Sequence, residues 1–323
     1  MKTNKMKVIS LFSGYGTQEL ALKYLGVDYE MIASSDICPK VNKVYDSLHQ
    51  STMGNLGDIT KITRLPECDL LTYSFPCQDI SIAGKQRGVV AGTRSGLLLD
   101  VERLLKETQP TYLFMENVKN LLSKRHIPVL KSHIEFLNGL GYGCSYRLLN
   151  GGKYGCPQNR ERVFMMSVKD MTNEEVDCLM ECVKLDTQTK VPMRNFLETD
   201  VDSKLFINAP FSPHTPKMNS MCRMVGIRDD VKYQQSQRIY SIDHCSPTLT
   251  KCGSPQLLMD DGRIRNITPR EGFRFMGVRD EEIDIILTNG LTTKMYWNIA
   301  GRSICVPVAM SIFSKFFEHG KTI

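Results

Sequence analysis

Short apolar segments alternate with helical segments through the first half of the chain, and this alternation restricts the fold more than any other feature. The segments typical of strands are 8–12, 29–34, a third that ends at 57–59, 70–75, 112–115, 145–149 and 163–168. Segments with helical patterning occupy 18–25, 39–48, 96–108 and 129–140. Because strands that alternate with helices form parallel sheets covered on both faces, we predict a doubly wound, mostly parallel α/β sheet.

The pattern changes after Lys169. A helix is predicted over 174–184, but 192–262 contains several prolines and glycines with little helical periodicity, which indicates loops and short strands. Helical patterning returns from Thr268 and includes an apolar helix over 306–317. The chain therefore combines a regular α/β part with a less regular insertion.

Length and composition support two domains in a globular protein. The chain has 323 residues, more than the roughly 250–300 at which a single core stops growing. We expect a large domain formed by 1–168 plus 265–323 and a small irregular domain at 169–264. A hydrophobic content of 41% with 24% charged residues is ordinary for a soluble globular protein. The net charge of +6 suits a polyanionic partner without identifying one.

Cysteine usage and the N-terminal sequence indicate a reducing compartment. The eleven cysteines include no CxxC pair, and Cys178 and Cys182 have helical spacing without matching histidines. We therefore expect neither disulfides nor a metal site. The first seven residues lead directly into an apolar strand segment, without the apolar core of a signal peptide or a membrane span. These observations predict a cytoplasmic location and no contact with a membrane.

A glycine turn after the first strand predicts a cofactor site. Gly14 and Gly16 stand between the strand and the following helix, where a backbone can approach a ligand closely. The dinucleotide fingerprint is incomplete because Glu19 occupies its third glycine position, which argues against a pyrophosphate. Asp36 follows the second strand and suits ribose hydroxyls, and Asp58 suits an adenine amino group. The pattern favours a nucleoside cofactor.

Reactive side chains follow two other strands. Pro76 ends a buried strand, and Cys77 comes directly after it. Glu116 follows the next predicted strand, so a carboxyl group is expected beside the thiol. Arg160 and Arg162 precede a strand, and side chains two residues apart share one strand face. Each feature alone has an ordinary explanation: a core cysteine, a solvated glutamate and an exposed edge strand.

Taken together and in this order, the motifs resemble the DNA (cytosine-5)-methyltransferase family of bacteria and phages. The set comprises FSGYG, SFPCQ, ENV, QNRER, TPRE and AGRS-x-x-VPVA, and the similarity covers about 7–168 and 265–310. The chain departs from the family pattern at Ser10 (usually Asp), Thr17 (commonly Gly), Tyr73-Ser74 (often a Gly pair) and Arg302 (Asn in the GNS motif). The resemblance implies a Rossmann-like S-adenosylmethionine-dependent methyltransferase fold with a small irregular target recognition domain at 169–264.

The resemblance also implies a covalent mechanism. The Cys77 thiolate would attack C6 of cytosine, so that C5 becomes nucleophilic toward the methyl group of S-adenosylmethionine. Glu116, kept protonated, would hold N3 and the exocyclic amine, Arg162 would bind O2, and Arg160 would support the thiol and the pocket. No metal would be required. Because C5 is inaccessible inside a duplex, the base would have to be flipped out.

Further site residues follow from the family pattern. The expected cofactor site is formed by Phe12, Gly14, Gly16, Asp36, Ile37, Asp58, Ile59, Leu97 and Ser303. The expected DNA contacts are Gln78, Ser81, Lys85, Arg87 and Arg94 in or beside a mobile catalytic loop at 81–94, with Arg238, Thr248 and Leu249 in the recognition domain. Arg223 and Arg228 are further candidates for guanine contacts, since arginine binds guanine edges in the major groove.

These inferences predict a monomer that methylates double-stranded DNA, either beside a cognate restriction endonuclease that acts separately or as an orphan enzyme. Three alternatives remain open on the sequence. A tRNA cytosine-5 methyltransferase would use the same motifs on RNA. An inactive DNA-binding relative would bind DNA without methyl transfer. A nicotinamide oxidoreductase would bind NAD, although the incomplete phosphate fingerprint disfavours it.

Overall fold

A computed structural model describes residues 5–76, 96–183, 191–215, 220–231, 237–250 and 254–317. The chain divides into two compact units. The first comprises Met1–Leu149, Glu161–Lys184 and Ala309–Ile323, and the second comprises Asn150–Arg160 and Leu185–Val308. The predicted division into catalytic and recognition domains concerns function, and it stays a prediction.

The first sheet confirms the predicted α/β architecture. Its strands are β1 (Met6–Leu11), β2 (Tyr29–Ser35), β3 (Leu70–Tyr73), β4 (Tyr112–Val118), β5 (Tyr142–Asn150) and β6 (Glu161–Lys169). The strand order is β2-β1-β3-β4-β6-β5. Strands β2, β1, β3 and β4 pair in parallel, whereas β6 pairs antiparallel with β4. The parallel core places the carboxyl ends of β1, β2, β3 and β4 at one edge, where open α/β sheets bind ligands.

In the described residues the α-helices are α1 (Thr17–Tyr24), α2 (Pro39–Leu48), α3 (Leu97–Thr108), α4 (Ile127–Gly139), α5 (Asn173–Glu181), α6 (Pro269–Arg274), α7 (Asp280–Leu287), α8 (Thr293–Arg302) and α9 (Val306–Phe317). Helices α1 to α6 and α9 occur where the sequence predicts a helix or a helix start, whereas α7 and α8 are not predicted individually.

The first sheet is buried on both faces. Leu71 and Leu113 are paired across β3 and β4, and they share a core with Leu105 of α3. On the other face, Phe114 packs against Phe313 of α9 with 4.8 Å between ring centroids. Strands covered on both sides need continuous apolar sequence, which explains why these segments lack the alternation of half-exposed strands.

The segment around residues 57–61, where a third strand was expected to end, forms a 3-10 turn instead. Ile59–Lys61 is a 3-10 turn, and the Asp58 side chain accepts hydrogen bonds from the backbone N–H of Thr60 at 3.0 Å and from its hydroxyl at 2.9 Å. A carboxylate that caps a turn favours it over continued strand pairing. The expectation of a strand ending at 57–59 is therefore wrong.

The second unit contains a second sheet with strands β7 (Phe206–Ile207), β8 (Phe211–Pro213), β9 (Met224–Arg228), β10 (Arg238–Ser241), β11 (Gln256–Leu258) and β12 (Ile264–Asn266). Their order is β7-β12-β11-β10-β9-β8. β10 and β11 pair in parallel, and the other neighbouring pairs are antiparallel. These strands have two to five residues each, so the sequence predicts short strands but not their union in one sheet.

The TPRE motif of the sequence forms the start of α6. The Thr268 hydroxyl accepts a hydrogen bond from Glu271 N–H, and the Glu271 carboxylate accepts one from Thr268 N–H, which is a capping box. Glu271 also pairs with Arg265 through two hydrogen bonds of 2.7 and 2.8 Å, and both side chains are almost fully buried. This motif therefore has a structural explanation within the second unit.

Thr293–Phe317 is long and apolar enough to span a membrane by length and composition, and 61% of its most apolar window is buried within the protein. Its two helices, α8 and α9, are separated by residues 303–305. Mostly buried core helices pass the same composition test, so this stretch is weak evidence for a membrane span.

Candidate active site

Glu116 and Arg162 form an ion pair at the edge of the first sheet. Glu116 lies opposite Phe164 in the β4–β6 register, and Arg162 lies opposite Val118. The two side chains are therefore diagonal neighbours on one face of the sheet. Arg162 Nε lies 3.2 Å from Glu116 Oε1, with the side chains 15% and 9% exposed. The pair places a planar donor beside a carboxyl group in a largely enclosed position.

Neighbouring contacts fix the start of β6. Arg162 donates from Nη1 to the carbonyl of Glu161 at 2.8 Å. The Glu161 carboxylate pairs with Lys119 at 2.8 Å, with both side chains exposed. This second ion pair lies on the surface, so we expect it to contribute little to the stability of the fold.

Asn117 connects β4 to the segment that follows β3. Its side chain donates from Nδ2 to the carbonyl of Phe75 at 3.2 Å, and its Oδ1 accepts from Val118 N–H at 2.8 Å. Asn117 is 2% exposed. The residue after Pro76 is Cys77, which lies outside the described residues. The motifs predict no role for Asn117 itself, although its position inside ENV was a signal that could have indicated one.

The other predicted residues of the catalytic loop also lie outside the described part of the chain. These residues are Gln78, Ser81, Lys85, Arg87 and Arg94.

The first glycine turn has space on its outer side. Gly14 has a φ of +58°, and an added Cβ would meet no atom within 4 Å. Phe12, two residues earlier, also has a positive φ of 56°. The Asp36 carboxylate accepts hydrogen bonds from Gly14 N–H at 3.2 Å and from Cys38 N–H at 2.9 Å. Ile37, next to Asp36, is 74% exposed. An anchored carboxylate, open backbone and an exposed apolar side chain thus adjoin one another.

At Gly16, in contrast to Gly14, close packing leaves no space for a side chain. An added Cβ there would lie 2.2 Å from His49 Nε2 and 3.1 Å from a ring carbon of Tyr45. Its φ is +84°. The glycine is therefore needed for close packing of the turn against α2 and the residue that follows it, independently of any ligand.

The remaining predicted cofactor residues of the first unit contribute to local structure. Hydrogen bonds from the Thr60 backbone and hydroxyl hold the pKa of the Asp58 carboxyl below its usual value. The Ile59 side chain is buried in the core, and Leu97, the first residue of α3, packs against the same core while partly exposed. Their proposed contacts with a cofactor stay predictions.

Glu19 lies in the interior beneath the glycine turn. It is fully buried, and Tyr45 donates a hydrogen bond from its hydroxyl to Glu19 Oε1 at 3.2 Å. Burial raises the pKa of the Glu19 carboxyl, and hydrogen bonds from Ser10 and Tyr45 partly oppose that shift. Ser10, one of the departures from the family pattern, thus contributes to a polar cluster in the core.

Arg160 differs from the prediction. It precedes β6, so it does not lie on the strand that contains Arg162. Its guanidinium donates to the Leu249 carbonyl at 3.1 Å, to the Gly301 carbonyl at 3.1 Å and to the Ser303 carbonyl. These bonds, made by a residue that is 2% exposed, turn the guanidinium toward backbone carbonyls. The predicted support of the thiol by Arg160 stays a prediction.

The three arginines predicted to contact guanine differ in their exposure and in their hydrogen-bond partners. Arg238 is exposed at the start of β10, and it hydrogen-bonds to the Tyr240 side chain. Arg223 is also exposed. Arg228 instead forms two hydrogen bonds with Asp230, which occupies its guanidinium edge. Among the contacts of the described residues, Arg228 is the one of these three arginines that pairs with a carboxylate.

Comparison with known proteins decides the family. The model of the C-5 cytosine-specific DNA methylase family matches residues 6–318. The chain belongs to this family. It is therefore a DNA cytosine-5 methyltransferase, as the motif set predicted.

Individual relatives agree with the family assignment over nearly the whole chain. The type II methyltransferase M2.ScrFI of Lactococcus lactis subsp. cremoris is 30% identical over 97% of this chain and 99% of its own length. The orphan methyltransferase M.SPBetaI of Bacillus phage SPbeta is 27% identical over 98% of both chains. The crystal structure of the S. pombe Dnmt2 methyltransferase superimposes with a TM-score of 0.73 at 20% identity, covering 99% of this chain and 100% of that one. The structural likeness confirms the methyltransferase fold.

Proposed function

We propose that this DNA cytosine-5 methyltransferase modifies a short, specific sequence in duplex DNA with S-adenosylmethionine, by flipping the target cytosine and attacking its C6 with Cys77. The observation that carries the proposal is the Glu116–Arg162 pair, at 3.2 Å. Glu116 lies on β4, which neighbours the strand that leads to Cys77, and Arg162 lies on β6, on the other side of β4. A cytosine edge presents O2, N3 and the exocyclic amine side by side. An arginine fork beside a carboxyl group complements that order.

The covalent step uses these groups in turn. The Cys77 Sγ–C6 bond forms as the C5–C6 double bond breaks, and the electron pair moves toward N3 and O2. Arg162 donates hydrogen bonds to O2, and Glu116, in its protonated form, supplies the proton at N3. C5 then carries the nucleophilic electron pair. After methylation, loss of the C5 proton to water and elimination of the Cys77 thiolate restore the C5–C6 double bond, and the N3 proton returns to Glu116.

Residues of the first unit fit an S-adenosylmethionine site. Asp36 would bind the ribose hydroxyls, the exposed Ile37 side chain would lie against the adenine, and the open backbone at Gly14 would border the methionine part. When bound, S-adenosylmethionine supplies an electrophilic methyl group. We also propose cofactor contacts for Phe12, Gly16, Asp58, Ile59, Leu97 and Ser303.

DNA binding would use both parts of the chain. Gln78, Ser81, Lys85, Arg87 and Arg94 would close over the flipped base, and Arg238, Thr248 and Leu249 would contact the target sequence. Base flipping is required by the chemistry, because C5 is not accessible to a thiolate and a methyl donor inside a stacked duplex. We further propose that the protein acts as a cytoplasmic monomer, separately from any restriction endonuclease.

Bisulfite sequencing tests the reaction and the target sequence together. The wild-type chain and its Cys77→Ala variant are expressed in bacteria that lack cytosine-5 methylation, and plasmid DNA is sequenced after bisulfite treatment. We expect protected cytosines in one short context with the wild type and none with Cys77→Ala. The variant should retain duplex binding in a gel-shift assay, which separates loss of chemistry from loss of folding.

The other outcomes identify the alternatives. Substantial methylation by Cys77→Ala would contradict the covalent mechanism. Unprotected plasmid from soluble wild-type protein would contradict site-specific DNA methylation. Transfer of labelled methyl groups to tRNA would then identify an RNA enzyme, and duplex binding without transfer to either nucleic acid would identify an inactive relative.

A further inference from the structure

The segment Gln158–Asn159–Arg160 holds the Thr248–Leu249 pair through three hydrogen bonds. Leu249 N–H donates to Gln158 Oε1 at 3.0 Å, and the Thr248 hydroxyl donates to the Asn159 carbonyl at 2.6 Å. Arg160 Nη1 donates to the Leu249 carbonyl at 3.1 Å. Each residue of the QNR part of the motif thus makes one hydrogen bond to Thr248 or Leu249, which belong to the predicted recognition domain.

The same motif also holds the C-terminal segment of the second unit. Arg160 Nη2 donates to the carbonyls of Gly301 and Ser303 at the end of α8. The last carbonyl groups of a helix lack partners within the helix, so a buried cation there binds strongly to them. Ser303 is a predicted cofactor residue, whereas Thr248 and Leu249 are predicted DNA contacts. One guanidinium therefore connects two segments with different predicted ligands.

We propose that Arg160 is the positioning residue through which target DNA and cofactor strengthen each other's binding. The inference rests on the proposed roles of Thr248, Leu249 and Ser303. A planar guanidinium with several donors orients both sets of carbonyl groups at once, so a shift of either segment changes the hydrogen bonds to the other. By thermodynamic linkage, the effect of DNA on cofactor affinity equals the effect of cofactor on DNA affinity.

Gln158 and Arg160 are held in a rigid, buried environment. Gln158 and Arg160 are 0% and 2% exposed. Gln158 Nε2 also donates to the Phe275 carbonyl at 3.4 Å, and the Pro157 carbonyl accepts a hydrogen bond from Ser246 N–H at 2.7 Å. If the Thr248–Leu249 pair moves and residues 158–160 move with it, the hydrogen bonds to the end of α8 must also change, because close-packed interiors transmit displacements.

A binding experiment measures this coupling. S-adenosylhomocysteine is titrated calorimetrically into the protein alone and into the protein saturated with a duplex that contains the target sequence. The ratio of the two dissociation constants is the coupling factor. The variants are Arg160→Lys and Thr248→Val, which removes the hydrogen bond to the Asn159 carbonyl. Arg265→Lys is the control, because Arg265 is an equally buried arginine of the same unit that pairs with Glu271.

We expect a coupling factor of about fivefold or more in the wild type, within the range usual for linked sites. It should fall at least threefold in Arg160→Lys and in Thr248→Val, and stay at the wild-type value in Arg265→Lys. If Arg160→Lys does not fold, Thr248→Val decides. A wild-type factor near one, or an unchanged factor in the folded variants, overturns the proposal. Equal losses in Arg265→Lys would also overturn it, by showing a general effect of packing.

The result is distinguishable from failure of the proposed function. Wild-type protein that binds neither S-adenosylhomocysteine nor duplex DNA would contradict the proposed function itself and this inference with it. Binding of both ligands with no dependence on Arg160 would contradict this inference alone.

Discussion

Asn117 donates a side-chain hydrogen bond to the Phe75 carbonyl at 3.2 Å, joining β4 to the residue that lies two positions before Cys77. The Glu116 side chain, next along β4, pairs with Arg162 on β6. One strand therefore bears the predicted acid and also restrains the segment that leads to the predicted nucleophile. The Asn117 amide thus adds a side-chain contact to the backbone pairing of β3 with β4.

Replacing Asn117 with Asp should slow the chemical step. A carboxylate cannot donate to the Phe75 carbonyl and repels it, so the segment before Cys77 should shift. Small displacements of reacting groups cost up to about 100-fold in rate. We expect single-turnover methylation to fall at least tenfold, while S-adenosylhomocysteine affinity changes less than threefold. An unaltered single-turnover rate would show that Asn117 does not position the nucleophile.

Arg162→Lys should lower kcat/KM by about 100-fold, comparable to the loss of one preorganised donor at a developing negative charge. Lysine keeps the positive charge but lacks the fork that meets O2 and Glu116 together. Lys119→Met is the matched control, because it removes the neighbouring exposed ion pair with Glu161. The control should retain wild-type activity. Similar losses in both variants would assign the effect to general electrostatics.

Gly14→Ala and Gly16→Ala should fail in different ways. Both positions have positive φ, which costs an alanine about 1–2 kcal/mol. At Gly16 the new Cβ would also clash with His49, 2.2 Å away, so this variant should have much the lower melting temperature. Gly14→Ala should fold and lose S-adenosylhomocysteine affinity. Thermal melts and calorimetric titration test the pair, and unchanged affinity in Gly14→Ala would exclude the cofactor from that turn.

Glu19 should make stability decline as pH rises. Burial raises the pKa of its carboxyl above the ordinary 4.5, so the folded state binds this proton more tightly than the unfolded state. Its contribution is therefore most favourable below pH 4.5 and is lost as pH rises through the folded-state value, with a slope of up to about 1.4 kcal/mol per pH unit. Glu19→Gln should remove this dependence. Urea unfolding of the wild type and of Glu19→Gln at pH 4.5 and 7.5 measures the free energy of unfolding. An equal change between the two pH values in both proteins would show that Glu19 does not cause the pH dependence.

Arg238→Ala should relax sequence choice, because an arginine that reads a guanine contributes about 1–3 kcal/mol of discrimination. Arg228→Ala is the control, since Asp230 already occupies the Arg228 guanidinium. Competition binding with target and single-substituted duplexes measures the difference. An equal loss of affinity by Arg238→Ala for every sequence would identify a phosphate contact instead.

The sequence predicted the first sheet because its strands are buried on both faces and therefore have continuous apolar segments. It also drew attention to Glu116 and Arg162 through their motifs, and the structure places these two side chains together, while their catalytic roles stay predictions. The second sheet was not predictable in the same way: two- to five-residue strands separated by loops show no sustained periodicity.

Single residues show a similar limit. The role of Gly16 depends on His49, more than thirty positions later, and local sequence contains no sign of that contact. The partners of Arg160 lie at Leu249, Gly301 and Ser303, and period-two alternation along a strand contains no information about them. In both cases the deciding interaction joins distant parts of the chain.

The way in which the backbone passes between the two units has a practical consequence for protein engineering. Neither unit is a continuous piece of sequence, and the second includes Asn150–Arg160 as well as Leu185–Val308. A chimera that exchanges only the later segment with a relative would leave Gln158 and Arg160 facing unfamiliar partners. Transplanting a new specificity should therefore succeed more often when the eleven residues from 150 to 160 travel with it.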